Sequence, residues 1–242
     1  MTDKVLLIGD GPLAEETCSF LEEKGVSVVF SEDGQSTFDP ENVTAVVDVV
    51  SGPVSEKRDG LCQGEKRVSE QVPIYTSTLY VSATQAASWL KHPERVIGFS
   101  PLLLREMDVM EVSRPLQGED VTNWTDGLAC WERWGKKIEV VGDEPGLVFP
   151  RTLALMVNES AFILTEKGAV PEEIDLAMKK GTNHPYGPLE WADRVGVDQI
   201  AWILRGLFEE LGDDRYRPAS LIRKMVYAKR LGCSTGRGFH RY

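Results

Sequence analysis

Short apolar runs alternate with breaks and helical patterns along the first 145 residues, and none recurs after Gly142-Asp143-Glu144-Pro145-Gly146. That ordering constrains the fold more than any other feature of the chain. Val5-Leu6-Leu7-Ile8 is a continuous apolar run ending at Gly9, the pattern of a strand covered on both faces. Helical spacing follows from residue 12 to 23, Gly25 stops it, and residues 26–30 form the next strand, giving a βαβ opening. Further strands are expected at 43–50, from 71 to 75, and at 96–99, 109–112 and 137–141, with a break at Ser51-Gly52-Pro53 and a helix over 82–90. Strands alternating with helices imply a doubly wound parallel sheet.

Beyond residue 145 the period changes. Helices are expected at 151–167, 171–180, 190–195, 198–211 and 218–231, with Pro171 well placed at a first helical position. The reading is therefore two domains, an α/β domain over 1–145 and an all-α domain over 146–242. A chain of 242 residues has room for both.

Charge and composition narrow the function. A formal net charge of −11 excludes a broad nucleic-acid surface, which needs clustered Lys and Arg. Cys18, Cys62, Cys130 and Cys233 form no CxxC pair, so they read as separate reduced thiols with no metal site. No apolar run reaches the roughly 18–20 residues that span a bilayer, and the chain enters its first strand directly after Met1-Thr2-Asp3-Lys4. A soluble cytoplasmic protein without membrane or nucleic-acid partners is expected.

Gly9-Asp10-Gly11-Pro12-Leu13-Ala14 is a G-x-G-x-x-A sequence that leaves a strand and opens a helix. Gly9 permits the tight turn, Gly11 lets backbone approach a pyrophosphate, and the small Ala14 lets helix and strand pack closely. Pro12 lacks an N–H, so one donor is missing. Where an acid would grip the ribose hydroxyls, the second strand ends in Phe30-Ser31-Glu32-Asp33, which puts Ser31 at the critical place and Glu32 just beyond. The cofactor-binding set is Gly9, Gly11, Ala14, Ser31 and Glu32.

The run Gly-Thr-Asn-His-Pro-Tyr-Gly-Pro-Leu-Glu-Trp-Ala-Asp-Arg-Val-Gly-Val-Asp from Gly181 to Asp198, with Ser234-Thr235-Gly236-Arg237-Gly238-Phe239, resembles the C-terminal domain of the 3-hydroxyacyl-CoA dehydrogenases. Weaker pieces of the same resemblance lie at 5–14, 45–57, Thr76-Ser77-Thr78-Leu79, Pro93-Glu94-Arg95-Val96-Ile97-Gly98, Met110-Glu111-Val112 and Asp143-Glu144-Pro145-Gly146. The resemblance implies a shortened Rossmann-like NAD-binding domain followed by the helical domain, through which such proteins form homodimers. It also implies NAD-linked oxidation of a 3-hydroxyacyl-CoA thioester or a smaller 3-hydroxy acid. In the family a histidine takes the hydroxyl proton, a glutamate supports the imidazolium, and a serine and an asparagine hydrogen-bond at the centre.

Carried onto this chain, the histidine falls on Ser100, the glutamate on Glu111, the serine on Ser77 and the asparagine on Pro150. An alcohol is far too weak a base to replace imidazole without its own activator. The histidines are His92, His184 and His240. His92 precedes the strand that Ser100 follows, up to about 25 Å away at 3.3 Å per residue. His184 reads as a turn residue, which leaves its folding beside the centre the one route to a replacement base, and His240 as an exposed tail residue. Residues 31–42 are also too few for the helix, strand and substrate-holding arm that the family places there. Two rivals stand beside the dehydrogenase: a non-catalytic relative kept for binding or dimeric assembly, and a hydrolase or lyase using Cys130 or Cys62.

Overall fold

The computed structural model describes residues 3–31, 42–122 and 124–242, and the chain separates into two compact units, Met1–Leu147 and Val148–Tyr242. The first unit is built on one seven-stranded sheet: β1 (Lys4–Ile8), β2 (Ser27–Phe30), β3 (Ala45–Asp48), β4 (Ile74–Ser77), β5 (Val96–Phe99), β6 (Val109–Ser113) and β7 (Lys137–Val141), in the order β2-β1-β3-β4-β5-β6-β7. From β2 to β5 all neighbours are parallel. The step from β5 to β6 is antiparallel, and β7 then runs parallel to β6. The expected doubly wound parallel sheet is present, with this one antiparallel step. Only residues 100–108 join β5 to β6, too few for the dozen or more that a parallel crossover needs, so the chain turns back on itself.

Both faces of the sheet are covered. On one, Leu6, Ile8, Val46, Ile74 and Val96 pack with Leu61, Ala83 and Ala86. On the other, the fully buried Trp131 touches Phe20, Tyr75, Phe99 and Trp134, with ring centroids 5.0–6.2 Å apart. Leu6 and Ile8 serve one face, which is the period-2 alternation of a strand buried on both sides.

The helices of this unit are α1 (Gly11–Glu23), α2 (Val54–Lys66), α3 (Ala83–Ala87) and α4 (Ala129–Arg133). The sequence pattern did not announce α2, which carries Gly60, Gly64 and a run of charged residues. Its glycines have a packing reason. A Cβ on Gly64 would stand 2.5 Å from Ile8 Cδ1, and one on Gly60 2.8 Å from Ile8 Cγ2, so their absence lets the helix lie close on β1.

The second unit is all helical: α5 (Phe149–Thr165), α6 (Pro171–Thr182), α7 (Pro188–Val195), α8 (Val197–Leu211) and α9 (Ser220–Tyr227). Leu153, Val157 and Ala161 of α5 meet a core made by Leu189, Ile200, Ile203, Leu204, Leu207 and Ile222, all buried. Asn158 is buried among them with both ends satisfied: its Nδ2 donates to Arg217 O at 3.0 Å and its Oδ1 accepts from Ala219 N at 2.8 Å. That pair fixes the approach to α9. Among the described residues no helix is long and apolar enough to cross a membrane.

Candidate functional site

Strands of this kind present ligands at their carboxyl ends, where the order of connection reverses beside β1. There the chain leaves β1 through Gly9 at φ +124° and enters α1 at Gly11 at φ +70°. A Cβ on Gly9 would lie 3.1 Å from Val50 N and 3.2 Å from Val49 C, so β1 and the end of β3 approach closely, and a side chain at φ +124° would be strained as well as crowded. At Gly11 the space is open, and Asp10, at the helix N-cap, makes no side-chain capping bond. The first-turn amides that remain after Pro12 are therefore not capped by Asp10, as a pyrophosphate site requires. Ala14 is buried at the contact of helix and sheet.

The residue after β2, Ser31, is tied down by its own N–H to Leu7 O at 2.9 Å and by Arg67, whose Nη1 donates to Ser31 O at 2.5 Å. Arg67 is an addition to this candidate edge that sequence spacing could not supply, because it arrives from the far end of α2. Glu32 lies outside the described residues.

Beneath the same edge sits a charge cluster that sequence reasoning also missed. Asp48 ends β3 fully buried, and Lys57, 2% exposed, pairs with it from α2. Thr76 Oγ1 donates to Asp48 Oδ2 at 2.6 Å, and Val50 N donates to Oδ1 at 3.1 Å. A buried pair of this kind is tolerable only when its remaining lone pairs are satisfied, and here they are. The result is a rigid floor joining β3, β4 and α2.

Ser77 is the last residue of β4, 2% exposed, and stands in register with Phe99. Ser100 follows Phe99 directly, and Thr78 N donates to Phe99 O at 3.0 Å. Across the antiparallel step, Ser100 N donates to Glu111 O at 3.2 Å, so Ser100 and Glu111 are cross-strand neighbours. Glu111 is half-buried and Ser100 is 9% exposed. Asp143 braces this edge from beyond β7. Its carboxylate accepts the N–H groups of Ala83 and Thr84, which start α3, and the hydroxyl of Ser113 on β6, all at 2.8 Å. Pro150, the place of the asparagine, is in the first turn of α5, in the second unit.

The histidines separate from this edge or lie in the other unit. His92 precedes β5 on the opposite side of the sheet, 3.1 Å from Glu70 and 3.5 Å from Glu94, in a cavity that Trp124 and Cys130 also line. His184 packs beside Trp191 at 5.6 Å between centroids, and its buried Nδ1 has no hydrogen-bond partner among the described residues. His240 is not the exposed tail residue expected. Its side chain is 17% exposed and its Nε2 lies 2.7 Å from Asp175 Oδ2.

That bond explains the Gly181–Asp198 run. Asn183 ends α6 in the left-handed region at φ 57°, and Gly187 N-caps α7. A Cβ on Gly187 would fall 2.1 Å from Asp175 Oδ1, because Asp175 approaches to accept the N–H groups of Leu189 at 2.9 Å and Glu190 at 3.2 Å. Asp193, one turn on, accepts the N–H groups of Phe239 and His240, both at 2.8 Å, and fastens the tail. Burial pushes both carboxyls above the ordinary aspartate range; the same N–H donors and His240 work against that rise.

Comparison with known proteins agrees with these features. Residues 146–242 match the model of the 3-hydroxyacyl-CoA dehydrogenase C-terminal domain. A probable 3-hydroxybutyryl-CoA dehydrogenase of Bacillus subtilis is 33% identical over 210 residues, 86% of this chain and 72% of the relative. A 3-hydroxybutyryl-CoA dehydrogenase of Clostridioides difficile is 32% identical over 84% of this chain and 73% of its own length. The solved (S)-3-hydroxybutyryl-CoA dehydrogenase of Ralstonia eutropha superposes with a TM-score of 0.81 at 30% identity, over 100% of this chain and 99% of that one. The chain belongs to the 3-hydroxyacyl-CoA dehydrogenase family. Its relatives make it a 3-hydroxyacyl-CoA dehydrogenase-like oxidoreductase by kinship.

Proposed function

We propose that the protein is an NAD-linked oxidoreductase acting on a 3-hydroxyacyl thioester or a smaller 3-hydroxy acid. The observation that carries this reading is the turn at Gly9 and Gly11: two glycines in left-handed conformations, a close backbone approach, and an α1 N-terminus left uncapped by Asp10. An edge kept only for folding would gain from a capping side chain. NAD, when bound, supplies the two-electron acceptor. Gly9, Gly11 and Ala14 would receive its pyrophosphate, with Ser31, Glu32 and Arg67 beside the adenosine ribose. Ser77 would bind the substrate hydroxyl. Glu111 would hold or move its proton, directly or through a group at Ser100.

The second reading, a family relative without catalysis, draws on Ser100, since residues 1–147 contain no histidine except His92 at the wrong end of β5. Both readings include a homodimer through the helical unit. Phe162, Leu176, Val170 and Tyr227 support it, as large apolar side chains 40–82% exposed on that unit.

Titration with NADH, read by tryptophan quenching, tests the first reading. Saturation at micromolar NADH, followed by oxidation of NADH with acetoacetyl-CoA, is the expected result. No binding at millimolar NADH would remove the dehydrogenase reading and leave the second.

A further inference from the structure

The chain as a whole is strongly acidic, yet residues 219–242 hold six Lys and Arg and no Asp or Glu. Three of these, Arg230, Arg237 and Arg241, line one cavity of about 240 Å³ in the helical unit. Leu164, Leu221, Met225 and Phe239 form its apolar wall.

The backbone sets the arginines there. Arg237 and Arg241 are partners in an antiparallel bridge, and Arg237 O also accepts from Gly232 N at 3.0 Å. Residues directly opposite in such a bridge put their side chains on the same side, with Cβ atoms roughly 5 Å apart, and like charges so placed repel. Arg230 and then Arg241 lower the proton affinity of the Arg237 guanidinium, Arg230 being the larger cause. The neighbouring aspartates among the described residues are otherwise engaged. Asp193 spends its oxygens on Phe239 and His240, and Asp175 on Leu189, Glu190 and His240. Glu172, 74% exposed, faces His240. None of the three guanidinium groups has a carboxylate partner among the described residues.

We infer that this cavity is a second anion site, which takes the phosphoryl or pyrophosphoryl group of a small molecule between Arg230, Arg237 and Arg241. Guanidinium forks match the oxygen spacing of phosphate, and several of them around one small cavity suit a polyvalent oxyanion better than a single carboxylate. The apolar wall would receive the body of the same molecule. The site is independent of dinucleotide binding at Gly9 and Gly11, and the two can fail separately.

Calorimetric titration with inorganic pyrophosphate at low salt, with and without saturating NADH, is the test. Expected is a saturable isotherm unchanged by NADH and weakened about tenfold or more, at least 1.4 kcal/mol, in each of Arg237→Gln and Arg241→Gln. Both residues are exposed, so both variants should fold. Melting curves give a second reading: without ligand the variants melt at or above the wild type because repulsion is relieved, and pyrophosphate raises only the wild type. Absence of binding at millimolar pyrophosphate, binding equal in the variants, or binding abolished by NADH would each overturn the proposal. Capture of poly-glutamate without pyrophosphate binding would overturn it too, and assign the surface to an acidic protein partner.

Discussion

Ser100 donates its backbone N–H to the carbonyl oxygen of Glu111 at 3.2 Å, and continues the register that pairs Phe99 with Val112. A residue placed on Ser100 therefore shares a sheet face with Glu111, as directly opposed residues do in antiparallel pairs. In the site proposed above, a base at position 100 and its supporting carboxylate would use this adjacency, and the chain carries serine there.

On that proposal, Ser100→His supplies a base beside Glu111. A positioned general base contributes about 10²–10⁴-fold, so NADH oxidation with acetoacetyl-CoA should rise by about two orders of magnitude over the parent. Adding Glu111→Gln should remove most of the gain, since the imidazolium loses its support. A Ser100→His protein that binds NADH but turns over no faster would sink the assignment of Ser100 and Glu111.

The buried charge cluster that joins β3, β4 and α2 makes a second prediction. Lys57→Met leaves the buried Asp48 carboxylate without its counter-charge, which costs about 3–5 kcal/mol. Converting Asp48 to Asn in the same protein should return much of that loss. Urea denaturation of the two single variants and the double variant measures the coupling. Additive effects would mean that the pair does not act as a unit.

Glu65 supplies a pH dependence. Burial pushes its carboxyl up, but the N–H groups of Lys91 and His92, both at 2.9 Å, and the Arg95 guanidinium outweigh that and hold it below the usual glutamate range. A lowered folded value gives stability that is present above the unfolded value, near 4.3, and lost as pH falls through the folded one. Glu65→Gln should therefore be less stable than the parent near neutrality, with the gap closing below about pH 4. Urea midpoints across that range decide it; a gap of constant size would show that ionisation is not the cause.

Much of the fold was legible because strands and helices carry their periods locally. Val5 to Ile8 and the α5 pattern needed no distant information. The α2 helix did need it, since Gly60 and Gly64 hide its period and find their reason only against Ile8. The antiparallel turn to β6 was readable in principle, from the shortness of residues 100–108, but strand periodicity says nothing of direction. Ser77, Ser100 and Glu111 are assigned through resemblance to the family, since local periodicity marks no site residue. Arg67 and the Asp48–Lys57–Thr76 cluster could not be read from local spacing, because residues distant in sequence meet there only after α2 crosses the sheet.

The tail offers the most direct test of what the family-like sequence specifies. A Cβ on Gly238 would fall 1.8 Å from Asp193 Oδ1 and 2.7 Å from Gly232 Cα, so Gly238→Ala cannot be accommodated without moving the Asp193 carboxylate or the tail backbone. The N–H groups of Phe239 and His240 would lose their acceptor, and His240 its approach to Asp175. Overpacking of this kind costs about 1–3 kcal/mol, and each lost bond to a carboxylate adds to it. Hydrogen exchange should quicken at Phe239 and His240, while β1 in the other unit keeps its protection. The same variant should weaken pyrophosphate, because the bridge that holds Arg237 opposite Arg241 lies in the displaced segment. Unchanged protection at Phe239 and His240 would mean that the Asp193 clasp is not what orders the tail.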